Sequence, residues 1–203
     1  MKHRSSVVAS ALGLVFAAAP AWAGDVAQIS QAGATNTAVI EQVASGGNNF
    51  AMVRQGDEWR NADNNSVQLV QYFVDNSLID VFQSGFNNQY SVFQHDGSDL
   101  QANVNTDLAS YGGGAGESNS VMIDQSGYGA RAWVEQSGIY SRAEIVQQGW
   151  GGASFANVMQ AGVGNQASVF QSGSDLNATI MQSSNGYGYG YGSGNSATIR
   201  QGY

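Results

Sequence analysis

Beyond its first 23 residues the chain contains no cysteine, no lysine and no proline. Without cysteine there are no disulfides, so stability must come from packing and backbone pairing. Without lysine, five arginines face fifteen aspartates and glutamates, a formal charge of −10. That balance argues against nucleic acid as a partner, because phosphate binding needs basic patches. It equally disfavours adsorption to anionic lipid. What the chain has in quantity is amide and glycine: 36 Asn and Gln and 26 Gly over residues 24–203. Composition alone would fit low-complexity disorder, but the spacing of these residues argues for order.

The first residues read as an export signal. Lys2, His3 and Arg4 form a basic start, residues 7–18 are apolar and uncharged, and Ala21-Trp22-Ala23 is a small-x-small cleavage site. The apolar run is too short to span a bilayer. Residues 1–23 are therefore expected to be a signal peptide and 24–203 a single domain, with no membrane insertion.

Residues 119–149 hold the same eleven-residue phrase three times, NSVMIDQSGYG-ARAWVEQSGIY-SRAEIVQQG. Each phrase contains a seven-residue unit ending in Gln, with Gly two residues later. Fourteen such units run along the chain. Their seventh positions are Gln31, Gln42, Gln55, Gln71, Gln83, Gln94, Thr106, Gln125, Gln136, Gln147, Gln160, Gln171, Gln182 and Gln201. The fifth position is Ile or Val in every unit but one, which has Leu69. The third is Ala in ten units, with Val67, Ile79, Tyr90 and Val121 as exceptions. The first is Asn in seven units: Asn36, Asn49, Asn65, Asn88, Asn119, Asn165 and Asn195. Positions two, four and six hold no fixed type. The held residues are spaced by two, the period of a strand with one constant face. That face is predicted to point inward, where each residue must match its neighbours.

Two units per turn give strand–turn–strand–turn. Stacked turns would pair each strand in parallel with its counterpart, ~4.8 Å away. The expected fold is all-β, a two-sheet parallel solenoid of about seven turns, ~34 Å tall. An inward amide is costly unless paired. Asn stacked on Asn and Gln on Gln would let each side-chain amide donate to the next along the axis. The residues expected to form this ladder are the first-position asparagines and the seventh-position glutamines, which hold the fold and carry no catalysis. Three longer connections, 56–64, 109–118 and 183–194, fall inside turns two, four and seven and should emerge on one edge. The last is Gly/Tyr-rich and reads as a spacer.

Candidate chemistry is sparse. His95 stands in His95-Asp96-Gly97-Ser98-Asp99, which could suggest a Ser/His/Asp set or a calcium loop. Asp, Gly and Ser are also ordinary turn residues, and a turn after Gln94 is the expectation. Asp57, Glu58 and Asp63 read as solubilising loop carboxylates. There is no zinc spacing, phosphate loop or calcium repeat. No catalytic residue, cofactor or metal is expected.

The segment Gln160-Ala-Gly-Val-Gly-Asn165-Gln-Ala167-Ser-Val-Phe-Gln171 resembles the curlin repeat, Gln-x-Gly-x-x-Asn-x-Ala-x-x-x-Gln. Gln31-Ala-Gly-Ala-Thr-Asn36-Thr-Ala38-Val-Ile-Glu-Gln42 matches equally, and 83–94 differs only in having Tyr90 for Ala. The resemblance spans nearly all of residues 24–203. It implies a subunit of curli, the extracellular amyloid fibres of bacterial biofilms. It further implies self-assembly, a second curlin subunit as partner, and a curli-type outer-membrane secretion machinery. Here Asp25 opens the first unit without a Gly/Asn-rich leader, and the last unit is regular with a single Arg. The second feature leans towards a fibre-forming rather than a nucleating subunit. A non-polymerising solenoid adhesin is the alternative, and a polysaccharide-acting β-helix enzyme a more distant one. An adhesin should cap its terminal strands, and no cap is legible at either end.

Overall fold

The structure, a computed structural model, describes residues 25–43, 47–56, 62–106, 118–184 and 194–202. The expected signal peptide and most of the three long connections lie outside the described residues. Alternation of small or branched apolar residues with polar ones favours a pleated, half-buried surface, and sixteen strands form among the described residues. In chain order they are β1 (Val26–Gln31), β2 (Thr37–Val43), β3 (Phe50–Gln55), β4 (Ala62–Asp63), β5 (Ser66–Asp75), β6 (Leu78–Gln83), β7 (Gly85–Phe86) and β8 (Gln89–Ser98). They continue with β9 (Gln101–Thr106), β10 (Ser120–Tyr128), β11 (Arg131–Ile139), β12 (Arg142–Gln148), β13 (Phe155–Val163), β14 (Gln166–Ser172), β15 (Asn177–Ser183) and β16 (Ser196–Gly202).

Fourteen of the strands, all but β4 and β7, fall into two seven-stranded parallel sheets. Sheet one has the order β1-β3-β6-β9-β11-β13-β15, and sheet two β2-β5-β8-β10-β12-β14-β16. Alternate strands thus go to alternate sheets, giving a solenoid of seven turns with two strands per turn. The register matches position for position: Ala27 pairs Ala51, Ile29 pairs Val53 and Gln31 pairs Gln55, and Ala143, Ile145 and Gln147 pair Ala167, Val169 and Gln171. A slip of one residue would turn every inward side chain outward.

The core is the strip of third- and fifth-position side chains between the sheets. Val53, Leu69, Val92, Val134, Ile145 and Val158 are wholly buried there. Burial fades at both ends of the stack: Ala27, Ile29, Ala38, Ala197 and Ile199 are only partly covered. The residues flanking the three long connections join β3 to β5, β9 to β10 and β15 to β16. In each case the strand before belongs to sheet one and the strand after to sheet two; the expected emergence on one edge lies outside the described residues. The short pair β4–β7 lies on the same passage.

The glycine two residues after Gln serves close approach as well as turning. A Cβ on Gly127 (φ +90) would sit 1.7 Å from the carbonyl oxygen of Gly149 in the next rung. No side chain fits there, and the φ value lies in the region glycine favours. The expected turn after Gln94 comes later, and the chain before it stays paired with its neighbours for longer than the spacing suggests. Strand β8 runs on to Ser98, with a register irregularity against β10 between Ser126 and Gly127. His95 and Ser98 therefore lie on extended backbone, while Asp96 takes a φ of +50.

Candidate functional site

The repeated inward residues build two axial columns of glutamine. In sheet two the column has no gap. Gln42 Nε2 donates to Gln71 Oε1 at 2.8 Å, and the bond is repeated through Gln94, Gln125, Gln147 and Gln171 to Gln201 at 2.8–3.0 Å. In sheet one Gln31 bonds Gln55 (2.6 Å) and Gln55 bonds Gln83 (2.9 Å). Beyond Thr106 the column resumes from Gln136 to Gln160 (2.7 Å) and Gln182 (2.8 Å). Every one of these bonds has the same sense: the Nε2 of the earlier rung donates to the Oε1 of the later one.

The second Nε2 hydrogen spans the core. Gln94, Gln125, Gln147 and Gln160 donate to the backbone carbonyls of Leu78, Gln101, Arg131 and Arg142, at 3.0–3.2 Å. Gln171, Gln182 and Gln201 do the same to Phe155, Gln166 and Asn177. Each acceptor is at the second position of the facing strand, beside its third-position side chain. One glutamine thus ties its rung to the next rung and its sheet to the other sheet. With both hydrogens used, the buried amide escapes most of its desolvation penalty. The cross-core bonds are not legible in the spacing, although the small third residue is their trace, since the amide passes over it.

Thr106 interrupts the column of sheet one. Its hydroxyl is paired with the Tyr90 hydroxyl and lies 3.3 Å from the Phe82 carbonyl. Gln136 Oε1, which would accept from a glutamine at that level, is buried without a hydrogen-bond partner. Tyr90 is the one aromatic third-position residue, and it stands opposite the one shortened seventh position. Burial pushes its phenol well above the usual tyrosine range, and the Thr106 contact only partly offsets this.

The asparagines do not stack amide on amide as the repeat suggested. Their Oδ1 accepts the backbone N–H of the first-position residue one rung on. Asn36 takes Asn65 N–H (3.1 Å), Asn65 takes Asn88 (2.8 Å), Asn88 takes Asn119 (3.0 Å) and Asn119 takes Ser141 (2.9 Å). Asn49 takes the N–H of Ser77 (3.0 Å) and Asn165 that of Asn195 (3.2 Å). The Nδ2 groups donate to backbone carbonyls near the strand ends, including Asn65 to Gly85 (2.9 Å), Asn165 to Ala161 (2.7 Å) and Asn195 to Ser183 (3.2 Å). The physical reason is reach. A short side chain at the strand entrance lies against backbone polar groups of the turn, which need partners.

A further position recurs outside the seven-residue unit. The residue preceding position one adopts the left-handed conformation in most turns: Thr35, Asn48, Asn64, Asn76, Asn87, Asp99, Ser118, Tyr140 and Asp175 have φ between +50 and +62. Asn and Asp tolerate this region best. Their recurrence just before the unit was the available signal.

His95 does not assemble a nucleophilic triad. Its Nδ1 lies 2.9 Å from Asp96 Oδ2 and its Nε2 3.2 Å from Asp124 Oδ1, so both ring nitrogens already face carboxylates. The ring stacks on Phe93, and the Ser98 hydroxyl turns to Asp99 (3.4 Å). Asp63 Oδ1 accepts the Ala34 N–H at 2.6 Å, a structural role. Asp57 and Glu58 lie outside the described residues.

The sheets end in open edges. In the described residues nothing pairs the outer side of β1 and β2 at one end or of β15 and β16 at the other. No curated protein matches the chain. A family model described as the curlin associated repeat matches residues 116–149 and 151–183. Those segments contain β10 to β12 and β13 to β15, where the rungs are most regular. These two matches support the kinship with the curlin family that the repeats carry.

Proposed function

We propose that residues 24–203 form a structural subunit that adds end to end into extracellular, curli-like fibres for adhesion and biofilm matrix. It serves for fibre growth rather than nucleation. The observation that carries this reading is the pair of open ends. Ala27, Ile29, Ala197 and Ile199 belong to the inward strip yet remain partly exposed, beside unpaired strand edges. An edge that offers unmet backbone groups and apolar side chains is a template for another strand. A second copy would bury both and extend the columns. Export through residues 1–23, delivery by a curli-type outer-membrane machinery and cooperation with a second curlin subunit complete the proposal. Family kinship supports these steps, and the chemistry of the rungs asks for no cofactor.

The test is electron microscopy of purified residues 24–203, with thioflavin fluorescence followed over time. Unbranched fibres and a rising signal are expected. Dispersed single particles after several days would instead favour a solenoid adhesin that does not polymerise.

A further inference from the structure

The two ends of the stack are chemically unlike, and their difference defines how copies meet. Every glutamine bond along both columns runs from Nε2 to the Oε1 of the following rung. The β15/β16 end therefore presents the Nε2 donors of Gln182 and Gln201, each with one hydrogen already given to a facing carbonyl at 3.0 Å. At the β1/β2 end stand the Oε1 acceptors of Gln31 and Gln42, whose Nε2 groups point inward along the stack. Donors end one face and acceptors the other.

Charge follows the same division. The sixth position of sheet two points to solvent. On the first rung it is Glu41 and on the last it is Arg200, both exposed. Inside the stack their neighbours in this column are Val70 and Phe170. Arg200 lies over the Phe170 ring, 5.4 Å from its centroid. Among the described residues, neither Glu41 nor Arg200 has an ion-pair partner.

We propose that successive copies join tail to head in the register of the rungs themselves, with Arg200 of one copy set against Glu41 of the next. This rests on the fibre reading and specifies its partner surface: β16 of one copy against β2 of a second, and β15 against β1. Continuing the observed register puts Ile199 on Ile40, Gln201 on Gln42 and Gln182 on Gln31. The sixth positions then lie one rung apart, ~4.8 Å between backbones, within reach of an ion pair. Joining like ends would oppose donor to donor, or acceptor to acceptor, and arginine to arginine or glutamate to glutamate. The terminal charges thus select polarity and register, because a slip of one residue sets Arg200 beside the inward Ile40 or Gln42 instead of Glu41, out of phase with the pleat.

The test is seeded elongation of four preparations: wild type, E41R, R200E and an equimolar mixture of the two variants. E41R carries two cationic junction faces and R200E two anionic ones. Alone, each should elongate on its own seeds roughly three- to tenfold more slowly than wild type. The mixture can alternate, cation against carboxylate at every junction, and should return to within about twofold of the wild-type rate. The doubly reversed chain, E41R with R200E, should recover likewise, and the deficit of each single variant should shrink at high salt. Single variants that elongate like wild type, or a mixture as slow as its components, would overturn the junction while leaving fibre formation standing. Wild-type chain that never polymerises would remove the fibre reading, and the junction with it.

Discussion

The glutamine columns of the two sheets differ at one rung. That of sheet two passes without interruption from Gln42 to Gln201. That of sheet one stops at Thr106, and Gln136 Oε1 beyond the gap has no partner. Opposite the gap stands Tyr90, whose hydroxyl takes up the threonine. In the unbroken regions the amide crosses over a smaller third residue, such as Ala102 opposite Gln125 or Ala132 opposite Gln147. Seventh-position amide and third-position volume are therefore one specification written on two facing strands. The Tyr90 ring at the one is met by the short Thr106 at the other, at the cost of a buried acceptor left unmet, whereas the aliphatic Ile79 still leaves room for Gln94 to reach the Leu78 carbonyl.

The largest effect should come from violating what both columns share, the inward fifth position. Ile145 is wholly buried between Ile123 and Val169 of the adjacent rungs. Ile145→Asp would bury a carboxylate with no cation in reach, at a cost of several kcal/mol, or force it to stay protonated. Fibre formation at neutral pH should be delayed or abolished, as read from thioflavin lag times. A normal lag would mean that the fifth position does not face inward in the assembled state.

Next comes a direct contrast between columns. Gln147→Leu leaves three groups unmet: Gln125 Nε2, Gln171 Oε1 and the Arg131 carbonyl. The expected loss is about 2–4 kcal/mol in local stability, measured by hydrogen exchange at the flanking rungs. Gln136→Leu sits beside the gap and breaks one column bond instead of two. It should cost about 1 kcal/mol less. Equal losses would show that the cross-core bond, not the column, carries the stability.

The gap itself can be repaired. Thr106→Gln alone drives an amide into the Tyr90 ring and should destabilise. Combined with Tyr90→Ala it completes the column and gives Gln136 Oε1 a donor. The pair should show a favourable coupling of about 1–3 kcal/mol in a double-mutant cycle. Additive effects would separate the two positions that the structure joins.

The smallest effect belongs to the outward face. Glu144→Lys loses a contact with Arg142 at 3.4 Å between exposed and half-exposed groups. It should change stability by about 0.5 kcal/mol or less. By lowering the net negative charge it should, if anything, shorten the lag. A larger loss than that of Ile145→Asp would mean the register is off by one residue.

Much of this architecture was legible because stacking imposes identity. A residue that touches its own counterpart in the next rung cannot vary freely, so Ile145, Gln147 and Ala143 announced their face by recurring. Period two also set the register and the number of strands per turn. Recurrence could not say which partner a polar group chooses. An amide has two donors and an acceptor, and the same repeat serves Asn88 bonding to backbone and Gln94 bonding to side chain. The cross-core bonds were hidden for a related reason: their acceptors are carbonyls, which carry no sequence. The extension of β8 past Gln94 went unread because His95, Asp96 and Ser98 have the chemistry of turn residues. There the neighbouring rungs, pairing through Ser98, override local preference.

The uniform stacking also governs how the chain reaches its fold. Successive column partners are separated by only 22 to 31 residues, and among the described residues no strand pairs with anything beyond an adjacent rung of its own sheet. Each step of folding closes a loop of nearly constant, modest length, so its entropic cost does not grow with the number of rungs. Contact order, which slows most β proteins, falls as such a chain is lengthened. A solenoid of this kind can be completed in the order in which its residues arrive, each rung templated by the one before. Nothing at the far end of the chain has to be present for the near end to close.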